Sequence, residues 1–209
     1  MKKTLFIALL ASFVANAQVR EKGAVEISPF AGFATSKHYG DFVSDNKSLI
    51  SATFGVDADF YFNNRWSIKI GAQYQRLGAR INTSIGPYSL PNGRDVYAKE
   101  KITNLAVPLH ASYHFGKKRN WYINFGPTLT YTVAYAMDNE NVNVNDLSRR
   151  FDGGLGVGVG YKFIINERFS IAIDHQQYVS IPRFTTFYDT THYSYDGNSS
   201  LNVKAVMNL

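Results

Sequence analysis

Three observations in the sequence predict an all-β fold, specifically an eight-stranded antiparallel up-and-down transmembrane β-barrel. Apolar residues recur at every second position in stretch after stretch of the chain. The connections between these stretches alternate between short polar turns and long polar segments. Aromatic side chains gather on the apolar face beside the short turns. Alternation with a period of two marks a strand whose two faces meet different surroundings. Short turns at one end, long loops at the other and an aromatic girdle form the layout of an outer-membrane barrel.

The first residues are set apart from this pattern. Lys2 and Lys3 precede an apolar run from Thr4 to Val14, and Ala15-Asn16-Ala17 supplies the small-x-small cleavage pattern of a secretory leader. The chain therefore divides into a signal peptide at 1–17 and an outer-membrane β-barrel domain at 18–209. The expected location is the cell outer membrane, reached by export and leader cleavage.

A weaker first strand runs from about Ala24 to Phe33. In the second, Ile50, Ala52, Phe54, Val56, Ala58, Phe60 and Phe62 oppose Ser51, Thr53, Gly55, Asp57, Asp59 and Tyr61. Asn63-Asn64-Arg65 turns the chain into Trp66, Ile68, Ile70, Ala72 and Tyr74. The next apolar face is Leu105, Val107, Leu109, Ala111, Tyr113 and Phe115, followed by Trp121, Ile123, Phe125, Leu129, Tyr131, Val133 and Tyr135. Leu155, Val157, Val159, Tyr161 and Phe163 face a run of glycines between Gly154 and Gly160. Phe169, Ile171 and Ile173 begin the seventh strand, and Leu201, Val203, Ala205, Met207 and Leu209 form the last. Long loops are expected near Thr35–Leu49, Gly78–Lys99, Met137–Arg149 and Ile181–Ser199.

An exported β-barrel can put its apolar face inward, as soluble barrels do, or outward against lipid. The aromatics decide. Phe60, Phe62 and Trp66 flank the first short turn, Tyr113, Phe115 and Trp121 the second, and Phe163 and Phe169 the third. Aromatics at one level of the apolar face suit a membrane interface, whereas a soluble core has no reason to concentrate them there. The polar face then lines the interior. Its expected charged and titratable members are Glu26, Asp57, Asp59, Lys69, His110, His114, Asp152, Lys162, Asp174 and Lys204. Eight strands enclose just enough room for side chains to fill, and buried charges must be paired. The expectation is a packed, salt-bridged interior.

Composition excludes several functions. There is no cysteine, which rules out disulfides, thiolate metal sites and cysteine nucleophiles. The formal net charge of +6 falls by two to +4 when Lys2 and Lys3 leave with the leader. That balance is mild, shows no basic stripe, and gives no reason to expect nucleic acid. No phosphate loop, nucleophile elbow or zinc-protease motif is present. His110 and His114 sit four apart on one strand, roughly 13 Å, too far to share a metal. His175 points outward, with no serine beside it on its own strand face. His38 and His192 fall in the first and last long loops near Asp41 and Asp189, where solvation is the plainer reading. No catalytic residue, metal site or cofactor is assigned. The last loop is the most informative: Phe184, Phe187, Tyr188, His192, Tyr193 and Tyr195 sit among Arg183, Asp189 and Asp196. Aromatics with adaptable polar neighbours suit contact with a protein or glycan, while the plainer reading is that they extend an upper aromatic girdle or pack on neighbouring loops.

The stretches "ITNLAVPLHASYHF", "WYINFGPTLTYTV" and "RRFDGGLGVGVGYKF" together resemble the outer-membrane β-barrel domain family of Bacteroidota, which includes PorT-like proteins. The resemblance rests on Pro108, on Gly126-Pro127, and on Asp152 followed by Gly153 to Gly160, in that order. It spans about Ala24 to Ser180 and implies an eight-stranded outer-membrane barrel, with some relatives linked to secretion.

The function expected is that of a non-enzymatic structural or surface-interaction protein, in adhesion or as a secretion accessory, acting through its long extracellular loops. A narrow passive pore and a lipid-modifying enzyme are the alternatives. Expected partners are outer-membrane lipid and lipopolysaccharide, the barrel-assembly machinery during biogenesis, and a surface protein or glycan.

Overall fold

The computed structural model describes residues 22–40, 46–82, 97–137, 140–142, 150–187 and 190–209. The leader at 1–17, Asp41, Tyr188 and Asp189 lie outside them. Among the described residues eleven strands follow in chain order: β1 (Val25–Gly40), β2 (Asn46–Tyr61), β3 (Trp66–Leu77), β4 (Ala79–Asn82), β5 (Tyr97–Phe115), β6 (Trp121–Met137), β7 (Glu140–Val142), β8 (Phe151–Ile164), β9 (Phe169–Ser180), β10 (Arg183–Phe187) and β11 (Thr190–Asn208). The eight long ones, β1, β2, β3, β5, β6, β8, β9 and β11, pair in that order, and β11 pairs back onto β1. All these pairings are antiparallel, and because β11 returns to β1 the eight long strands close into a barrel. Among the short strands, β4 continues β3 beyond Gly78, β7 folds back on β6, and β10 makes a hairpin with β11.

The apolar face is outside. Phe54, Leu105, Phe125, Leu155 and Leu201 are each half-exposed or more. The polar side chains between them are buried in the lumen. The glycine run of β8 makes room there: a Cβ on Gly156 would fall 2.6 Å from the His110 ring, and one on Gly160 would fall 2.3 Å from Tyr122.

Two of the short turns share a device that the sequence reading missed. The Asn63 Oδ1 accepts the N–H groups of Arg65 and Trp66, and the Asn166 Oδ1 accepts those of Arg168 and Phe169. Both stretches read Asn-x-Arg-aromatic, and each asparagine mimics a backbone turn. The third turn instead uses positive φ at Gly116 and Arg119.

The walls are longer than the alternation suggested. β1 runs to Gly40 and β2 starts at Asn46, so most of the expected Thr35–Leu49 loop is strand. β5 begins at Tyr97, and the expected Ile181–Ser199 loop contains the β10–β11 hairpin. These extensions carry polar residues on both faces, which erases the period-two signal. A second correction concerns Tyr135. Asn104 pairs with Thr132 but Thr103 pairs with Ala134, so a bulge leaves Val133 unmatched. Past a bulge the side chains exchange faces, and Tyr135 turns inward rather than joining the apolar face.

Candidate functional site

The polar interior is one connected network. At its centre the Lys204 Nζ reaches Asp57 Oδ2 at 2.6 Å and Asp174 Oδ2 at 2.7 Å. Gln73 donates to Asp57 at 3.1 Å, while Asn202 at 3.0 Å and Tyr122 at 3.1 Å donate to Asp174. Towards the short-turn end, Lys162 pairs with Glu26 and donates to the Tyr61 hydroxyl at 3.0 Å; Tyr61 in turn donates to Glu26 at 2.8 Å. All of these charges are buried, and charge-assisted bonds of this kind offset their desolvation. Lys69 is buried as well, with its Nζ 5.6 Å from the centre of the Tyr122 ring. It lines a cavity of about 30 Å³ together with Gln73, His110, Gln176 and Asn198, enough for one or two waters.

The histidines have defined roles in this packing. His110 donates through Nδ1 to Asn124 at 2.9 Å and accepts at Nε2 from Thr128 at 3.0 Å. The Ser67 hydroxyl donates to Asp59 at 2.9 Å, which leaves His114 Nε2 as the donor to Ser67 at 3.2 Å. Serine thus sits between histidine and aspartate. A nucleophilic relay needs the histidine in the middle. Asp152 is half-buried near the long-loop end and accepts from the Gly153 N–H.

At the long-loop end the lumen is crossed by a clamp. His38 on β1 binds Asp196 on β11 through Nδ1 and, at 2.7 Å through Nε2, Glu100 on β5 from across the barrel. Tyr135, turned inward by the bulge, bonds Glu100. Burial alone would push the His38 pKa down, but its bonds to Asp196 and Glu100 overcome this and raise it to about 9. The sequence reading set His38 in a loop with Asp41. Its actual partners lie 62 and 158 positions away, where no local signal reaches.

Outside, rings of aromatics occupy both ends. Trp66 contacts Tyr113 at 4.8 Å, Tyr113 contacts Phe115, and Phe115 contacts Trp121. Trp121 contacts Tyr161 at 4.9 Å and Tyr161 contacts Phe163 at 4.8 Å. Phe60, Phe62 and Phe169 lie at the same end, the first two about half-exposed. At the opposite end Tyr39 stacks on Tyr195 at 5.1 Å, and Tyr195 is parallel to Tyr193 at 6.5 Å. Tyr39 was not singled out from sequence. Phe184, Phe187 and His192 are on the β10–β11 hairpin. His175 is on the outer wall, partly exposed between Val159 and Leu201, and its Nε2 accepts from Gln177 at 3.0 Å.

A closed all-β barrel with an apolar exterior and a charged, filled lumen defines the class of small outer-membrane barrels. Residues 16–200 match the family described as "Outer membrane protein beta-barrel domain", and the chain belongs to that family. Its fold is similar to the outer membrane protein OprG of Pseudomonas aeruginosa, with a TM-score of 0.51 at 13% identity over 90% of this chain and 97% of that one. The attachment invasion locus protein Ail of Yersinia pestis, solved with the heparin analogue sucrose octasulfate, gives 0.45 at 15% identity over 89% and 99%. Outer membrane protein W of E. coli gives 0.45 at 15% identity over 91% and 100%. Among curated protein sequences, none matches this chain.

Proposed function

We propose that this protein is a non-enzymatic, non-conducting barrel of the outer membrane that acts at the cell surface, binding a protein or glycan through its long-loop end. The filled lumen carries this reading. Lys204, Asp57, Asp174, Lys162 and Glu26 span the interior with direct contacts, and the cavity beside Lys69 has a volume of about 30 Å³, room for one or two waters. The His38 clamp reaches across the lumen above them, from β1 to β5. With the interior occupied by its own side chains, the outer surface is left to act, and Tyr39, Tyr195 and Tyr193 offer a stacked row there. Rigid amphipathic rings suit recognition at low entropic cost. The order of Pro108, Gly126-Pro127 and the Asp152 glycine strand supports a place among the PorT-like Bacteroidota barrels, and with it a secretion-accessory role.

Single-channel recording of the refolded protein in a planar bilayer tests the reading, with Asp57→Asn/Asp59→Asn alongside. Silence from protein shown to be folded supports it. Steady conductance that changes in the double variant means an open charged lumen, and the narrow-pore alternative replaces it.

A further inference from the structure

A polar island interrupts the apolar outer wall. On β9 the outward residues run Phe169, Ile171, Ile173, then His175 and Gln177, then Val179, and Ile181 follows. Ser199 on β11 lies directly opposite Gln177, and on the other side of β9 Val159 lies opposite His175. Apolar side chains surround the three polar ones: Ile173, Val159 and Leu201 below, and Val179, Ile181 and Leu155 above, all of them exposed.

The depth of the island is that of hydrocarbon. At about 3.4 Å per residue and a tilt of about 40°, His175 is roughly 16 Å above Phe169 of the short-turn girdle, and Ser199 is roughly 10 Å below Tyr195 of the upper row. The apolar band of such barrels is about 25 Å tall. Acyl chains at this level offer neither donor nor acceptor, and polar groups inside a membrane are costly unless paired.

The island satisfies only part of itself. The Gln177 side-chain amide donates to His175 Nε2 at 3.0 Å and to Ser199 Oγ at 3.1 Å. With Nε2 accepting, the ring hydrogen is on Nδ1. Among the described residues nothing accepts from that Nδ1–H and nothing donates to Gln177 Oε1. One donor and one acceptor are left over, on side chains whose tips touch. A donor beside an acceptor is complementary to its own image under a two-fold axis. Two copies inserted in the same direction share such an axis along the membrane normal, which keeps every group at its own depth. The tips of His175 and Gln177 meet at one depth, so the Nδ1–H of each copy can reach Oε1 of the other. Just below, a groove of about 460 Å³ between Trp121, Tyr161, Phe163, Ile173 and Leu201 gives the partner's apolar side chains a seat.

We infer that the outer face of β8, β9 and β11 is where two copies of this chain pair in the membrane, joined by reciprocal His175–Gln177 hydrogen bonds. The pairing is independent of what the long-loop end binds and of whether the lumen conducts.

The test uses refolded full-length protein, with association measured by sedimentation equilibrium in density-matched detergent micelles and by crosslinking in phosphatidylcholine vesicles. Leucine suits a lipid-facing position, so His175→Leu/Gln177→Leu is expected to fold, and the mobility of the folded barrel on a gel verifies it. The expected result is a monomer–dimer equilibrium whose dissociation constant rises about tenfold or more in the double variant, because polar pairs between membrane segments are individually modest and two are lost. With no cysteine in the chain, single cysteines can report the face. A short bis-maleimide should capture dimers of Val179→Cys, the next outward position above Gln177, and not of Ile70→Cys on β3, at the opposite side of the barrel. A monomer at every protein-to-lipid ratio overturns the proposal and leaves the island to lipid. An unchanged dissociation constant in the folded double variant, or capture at Ile70 and not at Val179, overturns the assignment to this face.

Discussion

Lys204 and Asp57 are 147 positions apart in the chain, yet the Nζ of one lies 2.6 Å from Oδ2 of the other at the centre of the barrel. The contact joins the last strand to the second and exists only once β11 has paired with β1. Lys204 also neutralises Asp174, so Lys204→Met strands two buried carboxylates. Removing one partner of a buried ion pair costs roughly 3–5 kcal/mol. The same change combined with Asp57→Asn and Asp174→Asn removes the orphaned charge and recovers most of that loss. Urea unfolding from vesicles, followed by the mobility difference between folded and unfolded barrel on a gel, measures both.

The clamp at the mouth sets a pH dependence. His38 has a folded pKa of about 9, raised from 6.5. A raised pKa means that the folded state holds its proton more tightly than the unfolded chain. The contribution is full below pH 6.5 and fades as pH rises through 9; it amounts to roughly 3 kcal/mol. His38→Gln removes it. Unfolding midpoints at pH 6 and pH 10 are expected to differ more for the unaltered protein than for the variant, and equal differences would refute the role of the clamp.

Much of the barrel was legible because its outer face obeys one rule. Residues such as Phe54, Val56 and Phe60 alternate with buried Asp57 and Asp59, and lipid on one side with packed polar groups on the other demands that alternation. The inward charges were legible for the same reason. Their pairings were not: which lysine meets which carboxylate depends on closure and register, as Lys162 with Glu26 shows. The long-loop end was the least legible. From Thr35 to Gly40 both faces of β1 are polar or small, so a strand there reads like a loop, and the bulge at Val133 reverses the phase at Tyr135.

The glycines of β8 are spacers for the interior. A Cβ on Gly160 would fall 2.3 Å from the Cζ of Tyr122, a buried side chain that bonds Asp174. Gly160→Ala overpacks this site and is expected to cost about 1–3 kcal/mol. Tyr122→Ala vacates the space, so Gly160→Ala in that background costs much less. A double-mutant cycle on urea midpoints reads the coupling; additive costs would show that the alanine is accommodated elsewhere.

The tyrosine row is expected to matter for binding and little for folding. Tyr39 and Tyr193 are each more than two-fifths exposed, and Lys37 lies 5.8 Å over the Tyr39 ring. Truncating exposed groups away from the core usually moves stability by about 0.5 kcal/mol or less, although an aromatic pair adds about 0.5–1.5. Tyr39→Ala/Tyr195→Ala should therefore assemble and resist heat almost as the unaltered protein does. If the row is the recognition surface, binding of cells carrying the protein to immobilised glycans or to surface proteins drops by about tenfold or more, as expected for a central aromatic hot spot. Gly197 leaves room for the Tyr39 ring: a Cβ there would fall 2.8 Å from it. Gly197→Ala should displace that ring without removing it. A partial loss of binding in Gly197→Ala and a full loss in the double variant would tie recognition to the position of the rings, whereas unchanged binding in both would move it to the hairpin beyond.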